Sequence, residues 1–132
     1  MERLSMQKHN KQGREVFKKI FGNEAESIEA MLHELSVDLP KFAIDFPFGE
    51  FYANEHLLDL KTRELITIAT LVTQSALPQL KLHIKAAFNV GCTPVEIEQA
   101  ILQLIIYVGM PKVLNAMHVF KDVLEEPSIT KT

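Results

Sequence analysis

The sequence predicts an all-α protein of about seven helices. Period-2 alternation of apolar and polar residues is absent from its 132 residues, while apolar residues recur at three- and four-residue spacing along most of the chain. Helix punctuation falls between those periodic stretches: Gly22, Asp38-Leu39-Pro40, Asp59, Gly91 and Thr93-Pro94-Val95-Glu96. Hydrophobic residues make up 47%, too many for a disordered chain, so the helices have a core to build.

The elements follow in order. Val16, Phe17, Ile20 and Phe21 form the apolar stripe of a first helix, ended by Gly22. A second runs from about Glu24 to Leu35, with Ile28, Met31 and Leu32 on one face. Asp38 and Pro40 open a third, holding Phe42, Phe46 and Phe48, and Pro47 should kink or end it. Asp59 caps a fourth helix that runs to about Gln74 and is apolar on nearly every side from Leu65 to Val72. Ser75-Ala76-Leu77-Pro78 is a short turn, and a fifth helix carries Leu80, Leu82, Ile84, Ala86, Ala87 and Phe88 as far as Gly91. Thr93-Pro94-Val95-Glu96 reads as a capping box with proline at the first helical position. The sixth helix runs from there to Tyr107, Gly109-Met110-Pro111 breaks it, and a seventh reaches about Glu125.

The length suits one domain, 1–132, large enough to need no disulfide or metal staple. The fourth and sixth helices are apolar over more than one face, and so small a chain has few places to surround both. A partner subunit is therefore expected to cover part of that surface.

Charge excludes some classes. Fourteen bases against 17 acids argue against a general nucleic-acid binder, which needs a basic surface. The first 20 residues are basic, a pattern compatible with an anion-binding arm and, more commonly, with a solvated helix face. The start MERLSMQKHNKQGREVF lacks the apolar stretch of a secretory signal, and the longest apolar run, Ala100 to Met110, is too short to span a bilayer. A cytoplasmic protein with no membrane contact is the simplest expectation. A single cysteine, Cys92, rules out an intrachain disulfide, a CxxC pair and a Cys-rich zinc site.

Few residues promise chemistry. Glu64 opens the apolar fourth helix, where a carboxylate either faces a site or pairs with a base; Asp59, Arg63 and Glu64 also fit ordinary helix-start electrostatics. His83 lies on the next helix and can exchange a proton near neutral pH, although a lone histidine on an amphipathic helix is more often structural. A helical hairpin turning near Ala76 sets the two about 7–8 Å apart along the axis, a gap that the glutamate side chain with a water or substrate can bridge. His56, in the loop Asn54-Glu55-His56-Leu57, could line a pocket; His9, His33 and His118 read as surface or structural. No HExxH or carboxylate–histidine cluster suggests a metal, and GxSxG, P-loop and GxGxxG motifs are absent.

Four segments taken together carry a resemblance. Leu58-Asp59-Leu60-Lys61-Thr62-Arg63-Glu64-Leu65, then Leu82-His83-Ile84-Lys85-Ala86-Ala87, then Asn89 to Ile97, then Tyr107-Val108-Gly109-Met110-Pro111 with Asn115-Ala116, resemble the carboxymuconolactone decarboxylase family. The match covers roughly residues 40–125. It implies an all-α, AhpD-like subunit with a core at 40–125 behind an N-terminal helical region at 1–20, assembled as a homo-hexamer. One branch of the superfamily, similar to the alkylhydroperoxidases, uses a CxxC pair. Aligned on Glu64 and His83, those positions here are Ala76 and Gln79, so thiol peroxidase or reductase chemistry is not expected. The branch without the cysteines implies a lyase of aromatic-compound degradation. It removes CO2 from γ-carboxymuconolactone, a small lactone acid, without a cofactor. On that resemblance His83 donates the proton or stabilises an oxyanion, Glu64 orients or recharges it, Arg63 or Lys85 holds a carboxylate, and Tyr107 supplies a hydrogen bond. A family member with a different or lost activity fits the same motifs.

Overall fold

The computed structural model describes residues 2–127, with side chains from Lys11 onward. Of the bases in the first 20 residues, Arg3 and Lys8 therefore lie outside the described side chains, and Lys11, Arg14, Lys18 and Lys19 lie within them. The described residues are helical with no strand, and no helix among them is long and apolar enough to cross a membrane. They fall into two compact units that divide between Leu60 and Lys61.

The first unit holds α1 (Glu2–Phe21), one 3-10 turn (Gly22–Glu24), α2 (Ala25–Leu35) and a helical stretch from 39 to 52. Gly22 takes φ +57°, the left-handed conformation that ends α1 where the sequence predicts. Phe17, Phe21, Phe48 and Tyr52 form an aromatic cluster with successive centroid distances of 4.8, 5.8 and 4.7 Å. Such tilted and edge-on pairs are favoured by the ring quadrupoles. Gly13 lets the 39–52 stretch approach α1 closely: a Cβ there would stand 2.8 Å from the Asp45 carbonyl oxygen. Arg14 bonds Asp45 at 3.1 Å and also Glu29, so one guanidinium ties three segments together.

Pro47 does not end the third helix. The stretch carries π-helical turns on either side, Lys41–Asp45 and Phe48–Tyr52, in which amides bond carbonyls five residues back, as Ala53 N does to Phe48 O at 2.9 Å. A proline ring collides with the carbonyl four residues earlier in an α-helix. The wider π turns flanking Pro47 accommodate it without a break.

The second unit contains α3 (Leu60–Thr73, its first residue at the boundary), α4 (Leu77–Asn89), α5 (Pro94–Leu102), α6 (Ile105–Val108) and α7 (Met110–Leu124). Its core is Ile68 and Val72 from α3, Leu80, Ile84 and Ala87 from α4, Ile97 and Ile101 from α5, and Val113, Ala116, Phe120 and Val123 from α7. Three α3 threonines, 67, 70 and 73, return their hydroxyls to carbonyls four residues back at 2.9 Å, so their polar atoms make no demand on the core. Lys112 caps the carbonyl of Thr73 at 2.6 Å, closing the C-terminal end of α3.

The capping box forms as the sequence predicts. Thr93 Oγ1 accepts from Glu96 N at 3.1 Å, and Thr93 N donates to Glu96 Oε1 at 2.8 Å. That bond and the neighbouring Lys61, at 3.2 Å, hold the Glu96 carboxyl below the usual carboxylate range. Thr93→Ala should lower the unfolding free energy by about 1 kcal/mol in a urea titration, while Thr93→Ser retains most of it. An unchanged midpoint for the alanine variant would show the box to be idle.

The sixth predicted helix is in fact two. It breaks at Gln103–Leu104, with no glycine or proline to mark the place. Leu104 N bonds Ile101 O, a tightened three-residue turn, and Leu104 is thereby buried at 7% exposure. The next turn then points outward: Ile106 and Tyr107 are 79% and 76% exposed. Gly109, at φ +90°, swings the chain into α7, a conformation that L side chains rarely adopt.

Candidate active site

Glu64, Ile68 and Val72 are spaced four residues apart on α3 and form one buried row. The carboxylate thus heads an apolar row, and Glu64 is fully buried at 0% exposure. On α4, Leu80, His83, Ile84 and Ala87 follow the i, i+3, i+4, i+7 rule, so His83 lies in the core stripe. The turn between the helices is tight: Ala76 N bonds Leu71 O at 3.0 Å, and Ser75 takes φ +55°. It sets the two rows against each other.

His83 Nδ1 and Glu64 Oε2 are 2.9 Å apart. The axial offset expected from the sequence is spanned by the two side chains directly, without an intermediary. With Glu64 ionised, Nδ1–H donates to the carboxylate, fixing the ring's orientation and tautomer. Nε2 is then the nitrogen through which His83 can take up or give a proton elsewhere. His83 keeps 19% side-chain exposure, so the imidazole joins a buried carboxylate to the outside. Glu64 Oε1 is buried with no hydrogen-bond partner among the described residues. A core glutamate with one oxygen unsatisfied destabilises the fold by an amount on the order of 1–3 kcal/mol. Structural need alone does not account for it, since an apolar residue of that size would pack without the cost.

The other candidates are placed differently. Arg63 precedes Glu64 on α3 and is half-buried. Lys85 is two residues beyond His83, on another face of α4, and its ammonium meets Glu126 Oε2 at 2.9 Å. Lys81 reaches Glu126 Oε1 at 3.3 Å. Tyr107 is exposed on α6, and His56 is exposed in the loop of the first unit. Cys92 is buried, its thiol 3.7 Å from the Lys61 carbonyl that accepts from it. Ala76 is half-buried at the start of α4 and Gln79 is exposed on it. Among the described residues no group of three or more His, Cys, Asp or Glu is placed to hold a metal ion.

Sequence reasoning missed Glu126. The signal was present: lysines one turn apart at 81 and 85 call for a shared carboxylate. Lys85 first, then Lys81, hold the Glu126 carboxyl below its usual range. A depressed carboxyl stabilises the fold above its unfolded value and loses that contribution as pH falls through the folded one. Glu126→Gln should therefore cost up to about 1 kcal/mol at neutral pH. The difference from wild type should shrink in thermal melts as pH falls below the ordinary glutamate value of about 4.3 and disappear below the lowered folded one. A difference independent of pH would assign the loss to packing.

Comparison with known proteins places this geometry in context. A family model described as the carboxymuconolactone decarboxylase family matches residues 38–122. A 4-carboxymuconolactone decarboxylase of Acinetobacter baylyi is 33% identical over 121 residues, 90% of this chain and 89% of that protein. An uncharacterised 15.0 kDa protein of Paracoccus denitrificans is 32% identical over 72% of each chain. A nitrosuccinic acid decarboxylase of Metarhizium robertsii is 36% identical over 52% of this chain and 48% of its own length.

Proposed function

Since the chain belongs to the carboxymuconolactone decarboxylase family, we propose that it is a cofactor-independent decarboxylase acting on a small acid of the γ-carboxymuconolactone type. The observation that carries this reading is the 2.9 Å bond between buried Glu64 and His83. Loss of CO2 leaves an electron pair on the substrate carbon, which an unsaturated lactone carbonyl can accept as a dienolate. One proton must then be delivered to carbon. His83 is that donor, through Nε2, and is reloaded from water after each turnover. Glu64 is a positioning residue that keeps Nδ1 occupied and the ring aimed.

Arg63 or Lys85 is the candidate to hold a substrate carboxylate; Lys85 would do so from beside Glu126, which its ammonium meets at 2.9 Å. The proposal leaves Tyr107 and His56 without a chemical step. Its proposed setting is cytoplasmic breakdown of aromatic compounds, by a homo-oligomer of six chains; the exposed Ile66, Ile105, Ile106 and Tyr107 support assembly of some order. The names of two relatives share the loss of CO2 from a small acid, which supports the reaction class more than the substrate. The test is CO2 release from γ-carboxymuconolactone by the purified protein, with one CO2 expected per lactone consumed. Release at the buffer rate would overturn the assignment to that substrate.

A further inference from the structure

The contact at the head of the α3 row gives the two ring nitrogens of His83 different tasks. Nδ1 is 2.9 Å from Glu64 Oε2. A neutral imidazole carries one N–H, and an ionised carboxylate can only accept, so that hydrogen stays on Nδ1 and Nε2 presents a bare lone pair. The protonated ring carries hydrogen on both nitrogens. Nε2 is therefore a base in one state and an acid in the other, at the same place and in the same direction.

The carboxylate serves both states. In a carboxylate–histidine pair it stabilises the imidazolium formed when the outer nitrogen takes a proton. Glu64 is 0% exposed, so water does not screen it, and its Oε1 has no hydrogen-bond partner among the described residues. The pair is as well suited to taking a proton from carbon as to giving one.

The next step rests on the decarboxylase reading, in which His83 protonates carbon. CO2 loss and protonation leave a β,γ-unsaturated lactone, with the added hydrogen in a methylene group beside the carbonyl. That C–H bond is acidic, because its electron pair passes into the same carbonyl that accepts the pair left by CO2. A group that protonates a carbon in one direction deprotonates it in the other, by microscopic reversibility. We propose that the protein has a second activity: it exchanges hydrogen between water and the methylene carbon of β,γ-unsaturated lactones, with no loss of CO2.

The exchange balances without an oxidant or reductant. Nε2 of neutral His83 forms an N–H bond as the C–H bond breaks, and the electron pair is held as the dienolate. The imidazolium, its side chain 19% exposed, trades that hydrogen with solvent. The N–H bond then breaks and the C–H bond re-forms. Glu64 fixes the ring, so Nε2 meets a planar lactone from one face, and one of the two methylene hydrogens is exchanged while the other is kept.

The experiment uses chemically prepared β-ketoadipate enol-lactone in D2O with the purified protein, followed by proton NMR. CO2 release from γ-carboxymuconolactone is measured in parallel. The methylene signal should fall by half and stop there, with the second hydrogen lost only at the buffer rate. His83→Ala should exchange at least roughly tenfold more slowly. The chain carrying both His83→Ala and Glu64→Leu, which has no stranded carboxylate to weaken the fold, should be equally slow. CO2 release without exchange above the buffer rate would overturn the second activity and leave the decarboxylase reading standing. Exchange without CO2 release would uphold the proton transfer and remove that reading, and absence of both would sink both. Loss of the two methylene hydrogens at equal rates, or exchange that persists in both variants, would take the step away from His83.

Discussion

His83→Ala should lower kcat for CO2 release by about 10²–10⁴-fold, the usual worth of a positioned proton donor. KM should change little, because the role assigned to His83 is proton delivery and not substrate binding. Alanine is the best helix former, so α4 itself is not weakened. The substitution has a second consequence that must be separated from the first. It takes from a fully buried Glu64 the partner of Oε2, when Oε1 has none already. That should cost roughly 1–3 kcal/mol of stability. The double variant His83→Ala, Glu64→Leu removes the stranded carboxylate, so it should recover the stability while remaining as slow as the single variant. Recovery of turnover along with stability would show that His83 served the fold alone.

Glu64→Gln should reduce kcat by about 10–10²-fold, in line with loss of an orienting contact to the reacting group. Its stability should stay close to wild type, since the amide keeps the shape and one hydrogen bond to His83. Glu64→Leu should go further in both directions. Thermal unfolding should be unchanged or raised by about 1 kcal/mol, because a buried, half-satisfied carboxylate is replaced by an apolar side chain of similar volume. Turnover should fall at least as far as in Glu64→Gln. A stability that rises while activity falls marks a residue kept for function. If Glu64→Leu unfolds the protein instead, the carboxylate is holding α3 to α4 and the positioning role fails.

Much of the site was legible because helical spacing is legible. The sequence places Glu64 at the head of an apolar row, and places His83 within the stripe of Leu80, Ile84 and Ala87. A short hairpin joins the two helices, so their approach could be expected, though the direct 2.9 Å bond could not. That distance depends on how two helices settle on Ile68, Val72, Leu80 and Ile84, which is a matter of packing. Lys85 illustrates the limit. Its position two residues from His83 suggested a shared site, yet half a helical turn separates their directions, and a carboxylate far along the chain, Glu126, claims it.

Pro47 and Gln103 show two limits of local signals. A proline expected to kink or end a helix is flanked by π turns and does not end it, and a helix with no glycine or proline is cut between Ile101 and Ile105. In the second case burial of Leu104 outweighs the helical propensity of the stretch around it, because a side chain of that size gains roughly 1.5–3 kcal/mol on leaving water. Propensity differences per residue are smaller than that.

The sequence by itself determined the helical class, most helix ends, the capping box at Thr93 and the pair of residues worth testing. Each follows from interactions within a few residues, where backbone geometry leaves little choice. The tertiary structure decided which of the several apolar faces is core, which carboxylate each base meets, and which side chains are left facing outward. Those outcomes depend on contacts between residues distant in the chain, whose free energies are comparable and are resolved only when all of them pack at once.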